Sequence, residues 1–234
     1  MRGIADALAA LAAAGFDIAH AFDAAAAATA PGLELLAGPG ASSTAVPGAG
    51  SSAVPGVRPA AGTPRLGLLI GNTRALWPPF TAALADPALA ADPDPLDRYT
   101  ERTLDATFPG ARIYHGHRRY TGGFLPLQRL AALTGLGALA PNHLVIHPIY
   151  GPWLALRAVV LVDGDGDPPP SPRAPIPQPC QCNAACATAL ATALQSMTAA
   201  DWLAVRDRCA LGAWRYSDDQ IAYHYGRSLL GSPR

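Results

Sequence analysis

Between positions 135 and 163 the chain reads GLGALAPNHLVIHPIYGPWLALRAVVLVD, a run so apolar that most of it must be buried in any fold. It nevertheless carries His143, His147 and Arg157. The Pro/Gly signal His147-Pro148-Ile149-Tyr150-Gly151-Pro152 lies in its middle. This signal separates two predicted strands, 144–147 and 153–162, and predicts that they form a hairpin. Alternation along the second strand places Arg157 on one sheet face with Trp153, Ala155 and Val159. A lone buried charge is costly, so Arg157 must meet either an acid of the protein or an anionic ligand.

Around this run the chain mixes helices and strands without regular β-α-β alternation, which predicts an α+β fold. Ile4, Leu8 and Leu11 fall at helical spacing, and Phe16, Ile18 and Phe22 suggest a short strand, followed by an alanine-rich helix over 24–30. Residues 37–64 are mostly Gly, Ser, Ala and Pro with a single charge, the composition of a flexible insert. The remainder, 65–234, forms the main domain together with the first 36 residues. It begins with a buried strand over 65–72 and a helix over 73–85 whose first turn carries Pro78 and Pro79. A helix from Pro95 stops before Pro109-Gly110, and 111–117 is a strand. Pro126 opens a helix with Leu127, Leu130 and Leu133 inside. After a loop, DGDGDPPPSPRAPIPQP, come helices over about 183–196, 199–208 and 218–229. Ser217 and Gln220 have the spacing of a capping box. There is no internal repeat.

Composition removes several functions. Formal charge is zero, so nothing electrostatic favours nucleic acid or an anionic membrane as partner. All 17 basic residues are arginine; without lysine there is no Schiff base and no complete phosphate loop. No apolar run reaches the roughly 18 residues of a membrane span. The amino terminus reads as an amphipathic helix rather than a signal peptide, which predicts a cytoplasmic protein with cysteines as thiols or metal ligands.

Several clusters could carry chemistry. Asp163, Asp165 and Asp167 begin like a calcium loop, but Pro168 replaces the required glycine, and a solvated turn is the better reading. Cys180, Cys182 and Cys186 are three of only four cysteines, with Cys209 available as a fourth ligand for one metal or iron–sulfur site. Cysteines on an ordinary buried helix face are the alternative. His115 and His117 would share a strand face, although a polar strand end beside Arg118-Arg119 explains them more simply. His147 before Pro148 reads as a hydrogen-bonded structural histidine. Arg215 has Asp218 or Asp219 as an obvious ion-pair partner.

The string from Leu127 to Asp163 resembles a segment shared by corrinoid-dependent reductases, epoxyqueuosine reductase and the reductive dehalogenases. An alanine-rich helix ending in Gly-Leu-Gly precedes Asn142, the HPIYGPW motif at 147–153 and a ferredoxin-like cysteine segment, here degenerate, at 180–190. The chain also resembles the cobalamin-processing proteins of the cblC type. The features in common are the strand pair over 147–162 and the motif Arg215-Tyr216-Ser217-Asp218-Asp219-Gln220 with Ala222-Tyr223. GFDIAHAF and LGLLIGNTRALWPPF fall in comparable order.

This resemblance implies a nitroreductase-like α+β fold, a mainly antiparallel sheet flanked by helices. It implies a protein, leaning towards an enzyme, that binds cobalamin and reduces or cleaves its upper axial ligand, or uses the corrinoid for a reduction. A non-catalytic binding module or electron carrier is the alternative. Arg157 and Arg215 match residues implicated in gripping a thiol cosubstrate, glutathione. An arginine fork suits the carboxylates of such an anionic reductant. Asn142, His147, Tyr150, Gly151 and Trp153 are the matching candidates for the corrinoid. An iron–sulfur cluster on Cys180, Cys182, Cys186 and Cys209 has an incomplete motif, flavin has no dedicated motif, and a homodimer stays open. Leu133 stands where the cblC-type proteins have a histidine.

Overall fold

A computed structural model describes residues 3–37, 66–120, 123–162 and 185–227. The predicted insert falls largely outside these residues, as do the 163–179 loop, Cys180 and Cys182. In chain order the elements are α1 (Ile4–Ala13), β1 (Ile18–Asp23), α2 (Ala24–Ala27), β2 (Leu66–Asn72), α3 (Trp77–Ala83), α4 (Pro87–Ala90), α5 (Pro95–Thr107), β3 (Arg112–His115), β4 (Arg119–Tyr120), β5 (Gly123–Phe124), α6 (Leu127–Leu133), β6 (Ala138–Leu139), β7 (Val145–Ile146), β8 (Ala155–Val162), α7 (Ala185–Ser196), α8 (Ala199–Asp207) and α9 (Asp218–Arg227). The fold is α+β, as expected.

The main sheet is antiparallel in the order β1-β2-β8-β3. It is covered on both faces, which is why β2 and β8 are nearly continuous in apolar residues. On one face Ile18, Phe22, Leu69, Val159 and Leu161 pack under α2 and α6. On the other, Leu68, Ile70, Ala158 and Val160 pack under Leu11 of α1, Phe80 of α3 and Leu104 of α5. α6 buries Leu127 and Leu130, but Leu133 is 44% exposed rather than inside. The helix ends there, and Leu133 lies beyond the part of its apolar stripe that meets the sheet.

The predicted hairpin does not form. β7 pairs with β6 (Ala138↔Ile146, Leu139↔Val145), and both edges of β8 are taken by β2 and β3. Only the bridge His147↔Gly151 remains of the expected pairing. The strict alternation also fails, because the register between β2 and β8 shifts. Ile70 lies opposite Ala158 and Gly71 opposite Leu156, leaving Arg157 without a Cα partner on β2. This is a β-bulge, which adds one residue to a strand and re-aims its side chains. Leu156 consequently packs with Val159 and Leu161, on the face opposite Ala158 and Val160. Trp153 precedes β8 and sits in a separate cluster with Tyr216 and Ile221.

Candidate functional site

β6 and β7 are joined by Ala140-Pro141-Asn142-His143-Leu144, closed by hydrogen bonds from Ala140 N to Leu144 O (2.9 Å) and His143 N to Ala140 O (2.9 Å). His143 takes φ +63°, the left-handed position of the turn. Its role is therefore conformational. The turn delivers Asn142, buried at 3% exposure, whose Oδ1 accepts from Leu144 N at 3.0 Å. Beyond it, His147 Nδ1 accepts from Ile149 N (3.1 Å) and Tyr150 N (3.3 Å), and the ring stacks on Tyr150 at 4.5 Å. With Nδ1 an acceptor, the neutral ring carries its proton on Nε2, and burial lowers its pKa. That bonding supports the structural reading of His147.

The carboxy-terminal helices close over this region. Thr198 caps α8 by accepting from Asp201 N at 3.2 Å, and α8 packs against α7. Ser217 Oγ accepts from Gln220 N at 3.3 Å, which forms one arm of the expected capping box. The Gln220 side chain is fully buried and does not complete the other arm.

Between these elements lies a cavity of about 420 Å³. β8 contributes Ala155 and Arg157, the turn Asn142 and Leu144, α7 Leu190, α8 Trp202, Val205 and Arg206, and the α9 region Tyr216, His224 and Tyr225. The lining is apolar with a few polar groups, the usual composition of a small-ligand site. Asn142 Nδ2, Arg157 Nη2 and Tyr216 Oη are buried with no hydrogen-bond partner among the described residues. Such orphaned atoms are rare in folded proteins. Here three of them belong to the lining of one cavity.

Arg157 answers the question its position raised. Its Nε donates to Asn72 Oδ1 at 2.7 Å, an amide and not an acid. No acid among the described residues pairs with it. Burial pulls its pKa down, yet an arginine remains charged at any ordinary pH. Arg206 adds a second cation. Its guanidinium lies 5.9 Å from the Trp153 ring and 5.7 Å from the Tyr216 ring, and Nη1 donates to Leu154 O at 3.4 Å. His224 adds none, because burial and then Arg157 and Arg206 push its pKa down from 6.5 to about 3. Among the described lining residues there is no acid.

The other sequence candidates fall elsewhere. Arg215 is bound through Nε to Asp207 Oδ1 (3.0 Å) and through Nη1 to Asp218 Oδ1 (3.1 Å), with its guanidinium 5.6 Å from the Trp153 ring. It is outside the cavity lining, as are His147, Tyr150, Gly151 and Trp153. Trp153 is fully buried edge-on to Tyr216 and supports the cavity from behind. Gly151 has φ +57°, and a Cβ there would lie 2.2 Å from Leu211 O. It thus brings the 147–153 loop against the segment after α8. Cys186 and Cys209 are both buried. His117 Nε2 donates to Glu101 Oε1 at 2.9 Å, and Arg118 Nε also donates to that oxygen at 2.8 Å, the polar strand-end arrangement. No group of three or more His, Cys, Asp or Glu among the described residues is placed to hold a metal. Among the same residues, no helix is long and apolar enough to cross a membrane.

Sequence reasoning missed Arg206, Trp202, His224 and Asn72. The first two share a helix face with Ala199 and Val205, a spacing of three and four that was visible in the sequence. Asn72 offered no local signal, because its partner lies 85 residues away.

No family model matches the chain, and no curated protein sequence matches it. A solved structure does. The crystal structure of CblC, a B12-trafficking protein of C. elegans and a human MMACHC homologue, matches with a TM-score of 0.63 and 17% sequence identity. The match covers 94% of this chain and 90% of that chain. The fold is that of CblC. At this identity the likeness carries the architecture, and the CblC-like arrangement is the nitroreductase-like α+β fold expected above.

Proposed function

We propose that this chain is a cobalamin-processing protein that acts on the upper axial ligand of a corrinoid with help from an anionic cosubstrate held at Arg157. The observation that carries this reading is the cavity itself, which among the described residues has two arginines, no acid in its lining, and a guanidinium nitrogen on Arg157 without a hydrogen-bond partner. The CblC fold supports the corrinoid part, since that neighbour is a B12-trafficking protein. At about 420 Å³ the cavity is in the lower part of the range for small-ligand sites. It can enclose a small anion whole and meet only part of a corrinoid, which is much larger. Asn142 Nδ2 and Tyr216 Oη are neutral partners suited to corrinoid amides. Arg157 and Arg206 suit the carboxylates of a small thiol such as glutathione. Such a thiol would bring both the negative charge and the electrons needed to cleave or reduce the upper ligand.

The test is an absorption spectrum of anaerobically purified protein mixed with hydroxocobalamin, with and without glutathione. Binding is expected to shift the corrinoid bands and to make corrinoid and protein co-elute. An unchanged spectrum together with separate elution would end the proposal.

A further inference from the structure

Asn72 closes β2 with no exposed surface, and its amide is held at both ends. Nδ2 donates to Thr73 O at 2.9 Å, and Oδ1 accepts from Arg157 Nε at 2.7 Å. Thr73 is itself fixed, since Asp17 accepts from its backbone N (2.7 Å) and its hydroxyl (2.5 Å). Arg157 Nε can only donate and the Thr73 carbonyl can only accept, so the amide must turn its oxygen toward Arg157. The β-bulge at Ile70/Gly71 sets Asn72 opposite Ala155 and leaves Arg157 as the extra residue beside it. Gly71 permits this close approach, because a Cβ there would lie 2.7 Å from Ala155 O.

Resting on the anion-site reading above, we propose that Asn72 is a positioning residue that aims the guanidinium of Arg157 into the cavity while leaving its charge uncancelled. An acid at this position would also orient the fork, but it would neutralise it. An amide engages only Nε, and Nη2 is buried with no hydrogen-bond partner among the described residues. A planar fork anchored at Nε presents its two terminal nitrogens side by side, the geometry of a bidentate carboxylate contact. A short amide donates to Thr73 and accepts from arginine through two separate atoms, whereas the hydroxyl of Ser or Thr would have to do both through one, and Gln is one methylene longer.

The experiment uses the full chain, labelled with nitrogen-15. The Arg157 Nε–H signal is identified by its absence from Arg157→Gln. It should exchange slowly with water in the unsubstituted protein and become fast or invisible in Asn72→Ala. Glutathione affinity is measured by calorimetry beside hydroxocobalamin binding. Asn72→Asp should weaken glutathione roughly ten- to hundred-fold, the scale of one hydrogen bond to a charged group. Corrinoid binding should be retained. If Asn72→Asp does not fold, Asn72→Ser serves for the affinity comparison, with a loss of similar direction. Unchanged glutathione affinity in Asn72→Asp beside a loss in Arg157→Gln would overturn the assignment, as would a slow Nε–H signal that survives Asn72→Ala. Unchanged affinity in Arg157→Gln would remove the anion site itself, and both readings with it.

Discussion

Arg157 combines a half-buried charge, an amide anchor and a guanidinium nitrogen with no partner among the described residues, and each property has a measurable consequence. Replacing it by Gln removes the charge and keeps much of the volume. Thiol-dependent turnover should fall at least tenfold, the loss of one charge-assisted contact, while hydroxocobalamin affinity changes little. Equal loss of both would assign Arg157 to the fold. Stability should hold or rise, because the residue has no acid partner among the described residues whose loss would leave an opposite charge stranded. His143 gives a second residue-level prediction. It holds φ +63° without being a glycine, so His143→Gly should raise the unfolding free energy by about 0.5–1 kcal/mol in urea titrations. An unchanged or lower value would mean that the His143 side chain contributes something the backbone does not show.

At the scale of elements, the bulge and the 147–153 loop decide where the cavity lies. The loop and the strand that carries the bulge were legible, and the bulge itself was not. The apolar run of β8 and the Pro/Gly break before it identified a buried strand and a turn. Pairing was not legible, because an isolated strand carries no record of which neighbours will take its edges. β8 could have paired with β7, its nearest neighbour in sequence. It pairs instead with β2 and β3, which bury more apolar surface across a four-stranded sheet. Gly151 is the test of this layer. A side chain there would collide with Leu211 O and adopt an unfavourable φ. Gly151→Ala should therefore cost about 2–3 kcal/mol and weaken ligand binding through displacement of the segment after α8. A thermal midpoint equal to that of the unsubstituted protein would show the contact to be unimportant.

For the whole molecule, the buried histidines make stability depend on pH. His224 has a folded pKa of about 3, below its unfolded value of 6.5. The unfolded chain therefore takes up a proton between pH 6.5 and 3 while the folded protein does not. Stability is fully present above pH 6.5 and is lost as pH falls through this window, by about 1.4 kcal/mol per unit for this group. His115 and His147 are also lowered by burial and act in the same direction. Urea unfolding at pH 7 and pH 5 should differ by about 2 kcal/mol or more. His224→Gln should remove most of that difference. A pH-independent unfolding free energy over this range would show that His224 is not held neutral.

Composition and periodicity by themselves determined the α+β class, the positions of β2, α5 and β8, the conformational demand at the Pro/Gly turn, and the conflict of a charge within a buried strand. These are local properties, set by spacing along the chain and by the cost of exposing apolar residues or burying ionic ones. Tertiary structure alone decided how that conflict is resolved. It placed Asn72 beside Arg157 through a bulge and set Arg206 and His224 around one cavity. Such contacts join residues far apart in sequence, and only the packing of strands and helices sets the distances between them.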